Sequence, residues 1–167
     1  FKLAIKDFVT ENPADGVRKI SAIIPDSAVL TDTVKIPNMK GWGQTKKTLD
    51  VTLNSLYRNY SELRLVSSAI AQNKQYTTYS IAAVQKRIAS AVYTACSENK
   101  MLVDTLTYAA NATVSGVVQL NPKLKNASYL FLDLKDTYAR FVFVVNGRAV
   151  GSYSLPFGLE FLRKPEV

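Results

Sequence analysis

The segment from residue 129 to residue 155 constrains the fold more strongly than any other part of the chain. It holds three apolar runs in quick succession, at residues 129 to 134, 139 to 145 and 149 to 155. Asn146-Gly147 separates the last two runs, and a type I′ turn needs positive φ at both of its positions, which Asn and Gly tolerate best. We therefore predict a three-stranded meander whose second turn is a tight hairpin.

The remaining residues alternate between extended and helical patterns. Runs rich in β-branched residues predict further strands, at residues 17 to 24, 29 to 36, 63 to 73, 76 to 84 and 100 to 106. Apolar residues at three- and four-residue steps predict helices, at residues 1 to 11, 45 to 60, 88 to 96 and 108 to 120. Several connections are long enough for parallel crossovers, so the predicted fold class is α/β with mixed strand pairing.

The helix predicted at residues 45 to 60 follows Gly41-Trp-Gly43, which we interpret as a loop, and Thr45 is a suitable capping residue. Its apolar stripe consists of Leu49, Leu53, Leu56, Tyr57 and Tyr60. We expect the three leucines to face inward. A large aromatic side chain on a glycine-flanked loop is typical of an interface anchor, so Trp42 is the predicted partner-binding residue.

The composition excludes several kinds of chemistry. The 167 residues include no histidine and one cysteine, which excludes Ser-His-Asp and Cys-His mechanisms and a structural zinc site. Cys96 shares a helical face with Ile88 and Val92, so we expect it to be buried and unreactive. A single cysteine fits a reducing compartment. We predict no catalytic residue and no metal ligand.

The formal net charge of +8 favours acidic partners. The cations are spread thinly, however, and no RNA-binding aromatic signature accompanies them. We therefore expect no nucleic-acid partner. No apolar run approaches the roughly 18 residues that span a bilayer.

The segment from Tyr129 to Gly151 resembles the second phosphate-binding hairpin of actin-like ATPases, above all of the PilM and FtsA branch. In that family an apolar strand ends in an Asp, which corresponds to Asp133, and a Gly and a Thr or Ser follow before the next strand. Other stretches match in order: Ile20-Ser-Ala-Ile-Ile-Pro25, Val34-Lys-Ile-Pro37, Tyr79-Ser-Ile-Ala-Ala-Val-Gln-Lys86 and Met101-Leu-Val-Asp-Thr-Leu106.

The resemblance implies an actin-like, RNase H-like lobe with a small inserted α+β subdomain. The insert would comprise residues 27 to 79, flanked by first-lobe residues 1 to 26 and 80 to 125, and residues 126 to 167 would begin a second lobe. The first phosphate loop is expected before Phe1 and the adenine-binding elements after Val167. The first residue is not Met, which also leads us to expect upstream sequence.

The resemblance also indicates a nucleotide site at Asp133, Lys135, Asp136 and Thr137. Asp133 would hold a hydrated Mg²⁺ and Thr137 would donate a hydroxyl. Lys135 replaces the family's glycine, and Asp136 adds a negative charge beside the anion. The competing interpretation, which we favour, is an ordinary hairpin turn. We expect no cofactor in this fragment, with ATP and Mg²⁺ confined to the intact protein.

The family implies a non-catalytic scaffold in a pilus, secretion or cell-division machine. Such a protein would be cytoplasmic, at the inner face of the cell membrane. It would grip a membrane-protein segment or associate with itself, and it would reach the membrane through that partner. Two alternatives stay open: a nucleotide-binding actin-like ATPase in the intact protein, and a basic nucleic-acid-binding module of RNase H-like fold.

Overall fold

The computed structural model describes residues 6, 7, 10 and 11 and residues 18 to 163. The helix predicted at residues 1 to 11 therefore lies mostly outside the described residues. Its described members are helical, and the Thr10 hydroxyl donates a hydrogen bond of 2.9 Å to the Lys6 carbonyl.

Eight strands and four helices follow one another within residues 18 to 163. The strands are β1 (Arg18–Ile24), β2 (Val29–Pro37), β3 (Leu63–Gln72), β4 (Tyr76–Gln85), β5 (Met101–Tyr108), β6 (Tyr129–Leu134), β7 (Ala139–Val145) and β8 (Arg148–Leu155). The helices are α1 (Trp42–Leu56), α2 (Lys86–Ser97), α3 (Ala109–Leu120) and α4 (Leu159–Arg163). All eight strands lie where the sequence predicted them, and α4 was not predicted.

The strands pair in three sheets. β1 and β5 are parallel, and the other two sheets are antiparallel with the orders β2-β4-β3 and β6-β7-β8. The predicted α/β class with both kinds of pairing is confirmed. The meander turn is confirmed as well, because φ is +50° at Asn146 and +66° at Gly147.

α1 packs on one face of the β2-β4-β3 sheet. Leu49 and Leu53 are buried there, as predicted. They pack against the buried strand side chains Val34, Ile36, Tyr79 and Ile81. The inward orientation predicted for Leu56 is wrong, since its side chain is 56% exposed. The helix ends at Leu56, and Tyr57 and Tyr60 complete the apolar contact from the irregular segment that follows.

The start of α1 also differs from the prediction. The helix begins at Trp42, with Gly41 as its N-cap, so Trp42 lies on the first turn and not in a loop. Its side chain is nonetheless 67% exposed.

The meander packs its inner face on α3. Strand residues two apart point to the same face, and this inner face includes Phe131, Val142 and Val144, which surround Val114 of α3. Cys96 on α2 is fully buried, which confirms the burial that the sequence predicted. Burial also raises the pKa of the Cys96 thiol.

Candidate functional site

Asp133 and Arg140 form the centre of a charged cluster inside the meander. The antiparallel register of β6 and β7 places these two residues directly opposite each other. Asp133 shares a strand face with Phe131, and Arg140 shares one with Val142, so both point toward the interior. The Arg140 Nη2 to Asp133 Oδ2 distance is 2.6 Å.

Arg140 also binds two residues from distant parts of the chain. Its Nη1 atom lies 3.0 Å from Asp26 Oδ2, and Nη2 donates a 2.9 Å hydrogen bond to the Thr113 hydroxyl. Only 9% of the Arg140 side chain is exposed, against 14% for Asp26 and 13% for Asp133. Because water is largely excluded, each ionic contact is much stronger than one on the surface.

Asp26 joins this cluster to the start of α3. It follows β1 in a short 3-10 helix, and its Oδ1 accepts a 2.8 Å hydrogen bond from the Ala110 amide. The unpaired amides of a helix N-terminus favour an anion. One guanidinium therefore fastens the end of β1, the first turns of α3 and the β6-β7 hairpin together.

The predicted site residues divide into two groups. Lys135 comes together with Asp133, since its Nζ lies 3.2 Å from Asp133 Oδ1, although 55% of the Lys135 side chain is exposed. Asp136 and Thr137 are exposed on the turn. Trp42 lies on α1, which is part of a different packed unit.

The turn at residues 135 to 138 uses its own backbone groups. The Lys135 amide donates to the Tyr138 carbonyl at 2.9 Å, while the Lys135 and Asp136 carbonyls accept hydrogen bonds from the first amides of α4. Gly158 makes this approach feasible, because a Cβ there would meet the Lys135 carbonyl and lie 2.6 Å from the Asp136 carbonyl oxygen. These contacts favour the interpretation of an ordinary hairpin turn.

Sequence reasoning missed Asp26, Thr113 and Arg140. A signal for Arg140 was present, because counting outward through the predicted hairpin from its turn places this residue opposite Asp133. No local pattern links Asp26 or Thr113 to the hairpin. Their contacts with Arg140 span 114 and 27 positions of sequence.

A hydrated Mg²⁺ fits these residues poorly. Both carboxylate oxygens of Asp133 already contact cationic side chains, and both oxygens of Asp26 are engaged by Arg140 and the Ala110 amide. The guanidinium holds the position between the two carboxylates that a cation would take. Among the described residues, no group of three or more His, Cys, Asp or Glu residues is placed to hold a metal ion.

A groove of about 660 Å³ is a second candidate site. Its floor is the β2-β4-β3 sheet face turned away from α1, and its walls are α3 and the β7-β8 turn. The lining mixes apolar and polar side chains, among them Val66, Ser68, Ser80, Ala82, Asn111, Ser115 and Val118. Two basic residues, Lys125 and Arg148, also line the groove, and no Asp or Glu does.

Tyr108 lines the groove and is also near enough to Asp26 to be affected by its charge. Its hydroxyl donates a 3.0 Å hydrogen bond to the Ala149 carbonyl. Burial, and after it the negative charge of Asp26, raises the pKa of Tyr108 to about 12. The phenol is therefore a neutral hydrogen-bond donor throughout the physiological pH range.

The arrangement of these elements is similar to the fold of two solved structures at low sequence identity, and this likeness shows the fold alone. One solved structure with this fold is the "PilM-PilN type IV pilus biogenesis complex", at a TM-score of 0.73 and 14% identity, covering 96% of this chain and 49% of that one. Another is the cytoplasmic domain of EpsL, an inner membrane component of the type II secretion system of Vibrio cholerae. There the TM-score is 0.62 and the identity 10%, covering 93% of this chain and 56% of that one.

The chain thus spans about half the length of these two solved structures. A third structure, of a Bacteroides thetaiotaomicron protein with an actin-like ATPase fold and unknown function, is much less similar. Its TM-score is 0.40 at 10% identity, and the match covers 96% of this chain and 58% of that one. No protein-family model and no curated protein matches the sequence. No helix among the described residues is long and apolar enough to cross a bilayer.

Proposed function

We propose that the chain is part of a non-catalytic scaffold in a membrane-associated assembly machine, of the pilus, secretion or cell-division type. The observation that carries this proposal is the fold likeness, over 96% of the chain, to a chain of the PilM-PilN type IV pilus biogenesis complex. The second likeness, to a cytoplasmic domain of a secretion-system component, points in the same direction. Such a protein acts at the cytoplasmic face of the membrane.

The groove is the proposed site for a segment of the membrane-protein partner. It lies between the β2-β4-β3 sheet and the elements β5 and α3. Strands β2 and β3 fall in the insert that we assign to residues 27 to 79, and β4 crosses its boundary into the first lobe. A volume of about 660 Å³ is within the roughly 300–1,000 Å³ typical of ligand sites. Its mixed lining offers apolar contact together with hydroxyl, amide and cationic groups.

Site-specific photo-crosslinking in the native host tests this assignment. A benzophenone amino acid at Ser68, inside the groove, is expected to crosslink a membrane protein, whereas the same group at Lys74, in the exposed β3-β4 turn, is not. A Val118→Arg change, which fills the groove, is expected to abolish the Ser68 crosslink. A crosslink that survives Val118→Arg, or that forms equally at Lys74, would contradict a groove-bound partner.

Trp42 is proposed as a second contact, for a partner or for another copy of the chain. Because its side chain is 67% exposed on the first turn of α1, it contributes little to the core. Trp42→Ala is expected to leave Tm nearly unchanged while weakening assembly of the intact protein. A large fall in Tm with unchanged assembly would place Trp42 in the core and refute the interface.

The nucleotide-binding alternative has a separate test. Arg140 and Lys135 occupy both oxygens of Asp133, and the turn at residues 135 to 138 directs carbonyls to α4, so little remains to hold a phosphate or its cation. The chain is therefore expected to bind Mg-ATP with a Kd of about 1 mM or weaker, or roughly −4 kcal/mol. A micromolar Kd by titration calorimetry would restore the ATPase interpretation.

A further inference from the structure

We propose that the outer edge of β3 is a strand-addition site for an extended, acidic segment of a partner protein. The proposal rests on the proposed function in one respect: one row of the partner's side chains would lie in the groove described above. It does not depend on which machine the chain serves.

β3 is the open edge of its sheet. The order β2-β4-β3 leaves β2 and β3 at the two edges. β2 is approached by β8, since a Cβ at Gly151 would lie 3.9 Å from the Thr31 hydroxyl oxygen. Within residues 18 to 163, no strand pairs with the outer side of β3, and Val66 on it is 65% exposed.

The open stretch has defined ends. On one side the Lys86 ammonium donates a 2.6 Å hydrogen bond to the Ser61 carbonyl. On the other side the side-chain amide of Asn146 donates a hydrogen bond to the Ile70 carbonyl, at the point where a bulge interrupts the pairing of β3 with β4. Residues 63 to 69 remain between these two contacts, which is the length of an ordinary strand.

Natural proteins protect a long edge strand with lysines, prolines or inward-pointing charges, because its unpaired backbone groups otherwise capture other chains. β3 carries only one charged residue, Arg64, and no proline. An open edge at residues 63 to 69 with so little protection is a liability unless a partner strand covers it in the cell.

A cleft lies beside β3 on each face of the sheet. On one face Val66 and Ser68 line the groove of about 660 Å³. On the other, Leu63, Leu65 and Ser67 line a second cleft of about 430 Å³ under α1. Successive side chains of a strand point to opposite faces, so an added strand would place its side chains alternately in the two clefts, with main-chain hydrogen bonds to β3.

The charges around the two clefts select an acidic occupant. Their linings include four cationic side chains, Lys46, Lys86, Lys125 and Arg148, and a single carboxylate, Asp50. That carboxylate already accepts a hydrogen bond from the Tyr60 hydroxyl. A second copy of this chain would bring another net charge of +8 against these cations, which opposes pairing of two β3 edges.

The probe is a synthetic ten-residue peptide with valine at every second position and glutamate or threonine at the positions between. In the control peptide, glutamine replaces each glutamate. Amide hydrogen exchange by NMR reports where the peptide binds. Alternate amides in residues 63 to 69 are expected to exchange about 100-fold more slowly with the peptide at 100 times its Kd. Amides of β4, which are already paired on both sides, are expected to change little.

A pair of proline variants isolates the main-chain contribution. Neighbouring residues of an edge strand direct their amides alternately inward and outward, so only one of Val66→Pro and Ser67→Pro removes an outward donor. That variant is expected to keep its Tm, because edge strands tolerate such a proline, and to bind the peptide about tenfold more weakly. Lys46→Glu is expected to weaken binding, with Lys74→Glu as the matched control.

Two results would overturn the proposal. One is peptide binding without slowed exchange in residues 63 to 69. The other is slowed exchange there that depends on protein concentration and not on the peptide, which would assign the edge to a second copy of the chain. A different result would refute the proposed function alone. The benzophenone group at Ser68 would form no crosslink in cells, without any further substitution, while the peptide would still slow amide exchange in residues 63 to 69.

Discussion

Replacing Arg140 by methionine is expected to cost about 3–5 kcal/mol of unfolding free energy, the range for breaking a buried ion pair. The methionine fills much of the same volume but leaves Asp26, at 14% exposure, without a cationic partner. Asp133, at 13% exposure, keeps only the contact with the exposed Lys135 ammonium. Arg140→Met also removes the hydrogen bond to the Thr113 hydroxyl. The expected loss of unfolding free energy therefore comes from buried carboxylates that lose their cationic partner, and not from a lost side-chain volume.

Urea unfolding followed by circular dichroism measures this loss. With an m value of about 2 kcal/mol/M, the midpoint is expected to fall by roughly 1.5–2.5 M. Lys135→Met is the matched control, since Lys135 binds the same carboxylate from a side chain that is 55% exposed. Its cost is expected to stay below about 1 kcal/mol, as for other surface pairs.

The triple variant Asp26→Asn, Asp133→Asn and Arg140→Met completes the test. It removes all three charges together, while the asparagine introduced in place of Asp26 can still accept a hydrogen bond from the Ala110 amide. Most of the lost stability is therefore expected to return. An Arg140→Met cost below about 1 kcal/mol, or a triple variant no more stable than the single one, would refute the account of stranded charges.

Four further predictions concern single side chains. Leu53→Ala is expected to cost about 2–5 kcal/mol in urea unfolding, and Leu56→Ala, at an exposed position, less than about 0.5 kcal/mol; equal losses would contradict the burial pattern. Gly158→Ala is expected to cost about 1–3 kcal/mol, because its Cβ meets two backbone carbonyls; an unchanged midpoint would show that the turn adjusts. Cys96 is expected to react with a thiol reagent far more slowly in the native protein than in denaturant, and equal rates would place it at the surface. Tyr108 keeps its proton in the folded state up to a pKa of about 12 and loses it near pH 10 when unfolded. Its contribution to stability is therefore complete below pH 10 and falls by about 1.4 kcal/mol per pH unit between pH 10 and 12; Tyr108→Phe is expected to flatten the measured slope, and an identical slope would contradict the raised pKa.

Much of the fold could be read from local patterns. The Asn146-Gly147 turn and the alternation of the flanking strands predicted the meander, since the turn chemistry and the two-residue period both act over a few residues. The burial of Leu49, Leu53 and Cys96 followed from helical periodicity for the same reason.

The helix boundaries were harder to predict. Gly41-Trp-Gly43 suggested a loop, because two glycines disfavour a helix, yet the chain begins α1 at Trp42. At the other end, Tyr57 and Tyr60 fitted the helical stripe but contact the core from outside the helix. In both places tertiary packing outweighed local propensity.

The charged cluster was only partly visible in the sequence. Asp133 stood out through the family resemblance, whereas Asp26 and Thr113 meet Arg140 through pairings that no local pattern records. Whether Asp133, Lys135, Asp136 and Thr137 contact nucleotide in the intact protein, and whether Trp42 contacts a partner, stay predictions. The division of the chain into an insert and two lobes, with boundaries at residues 27, 80 and 126, is also still a prediction.

The long separation between Asp26 and its partners has a consequence during biosynthesis. Its contact with Ala110 spans 84 positions, and that with Arg140 spans 114. At roughly 5–20 residues per second, about 4 to 17 s of translation separate Asp26 from Ala110, and about 6 to 23 s separate it from Arg140. The β3-β4 hairpin can form during this delay, while β1 leaves the ribosome without β5. The newly made chain therefore presents an unpaired apolar strand to chaperones for many seconds, and a translational pause between β4 and β5 would lengthen that exposure.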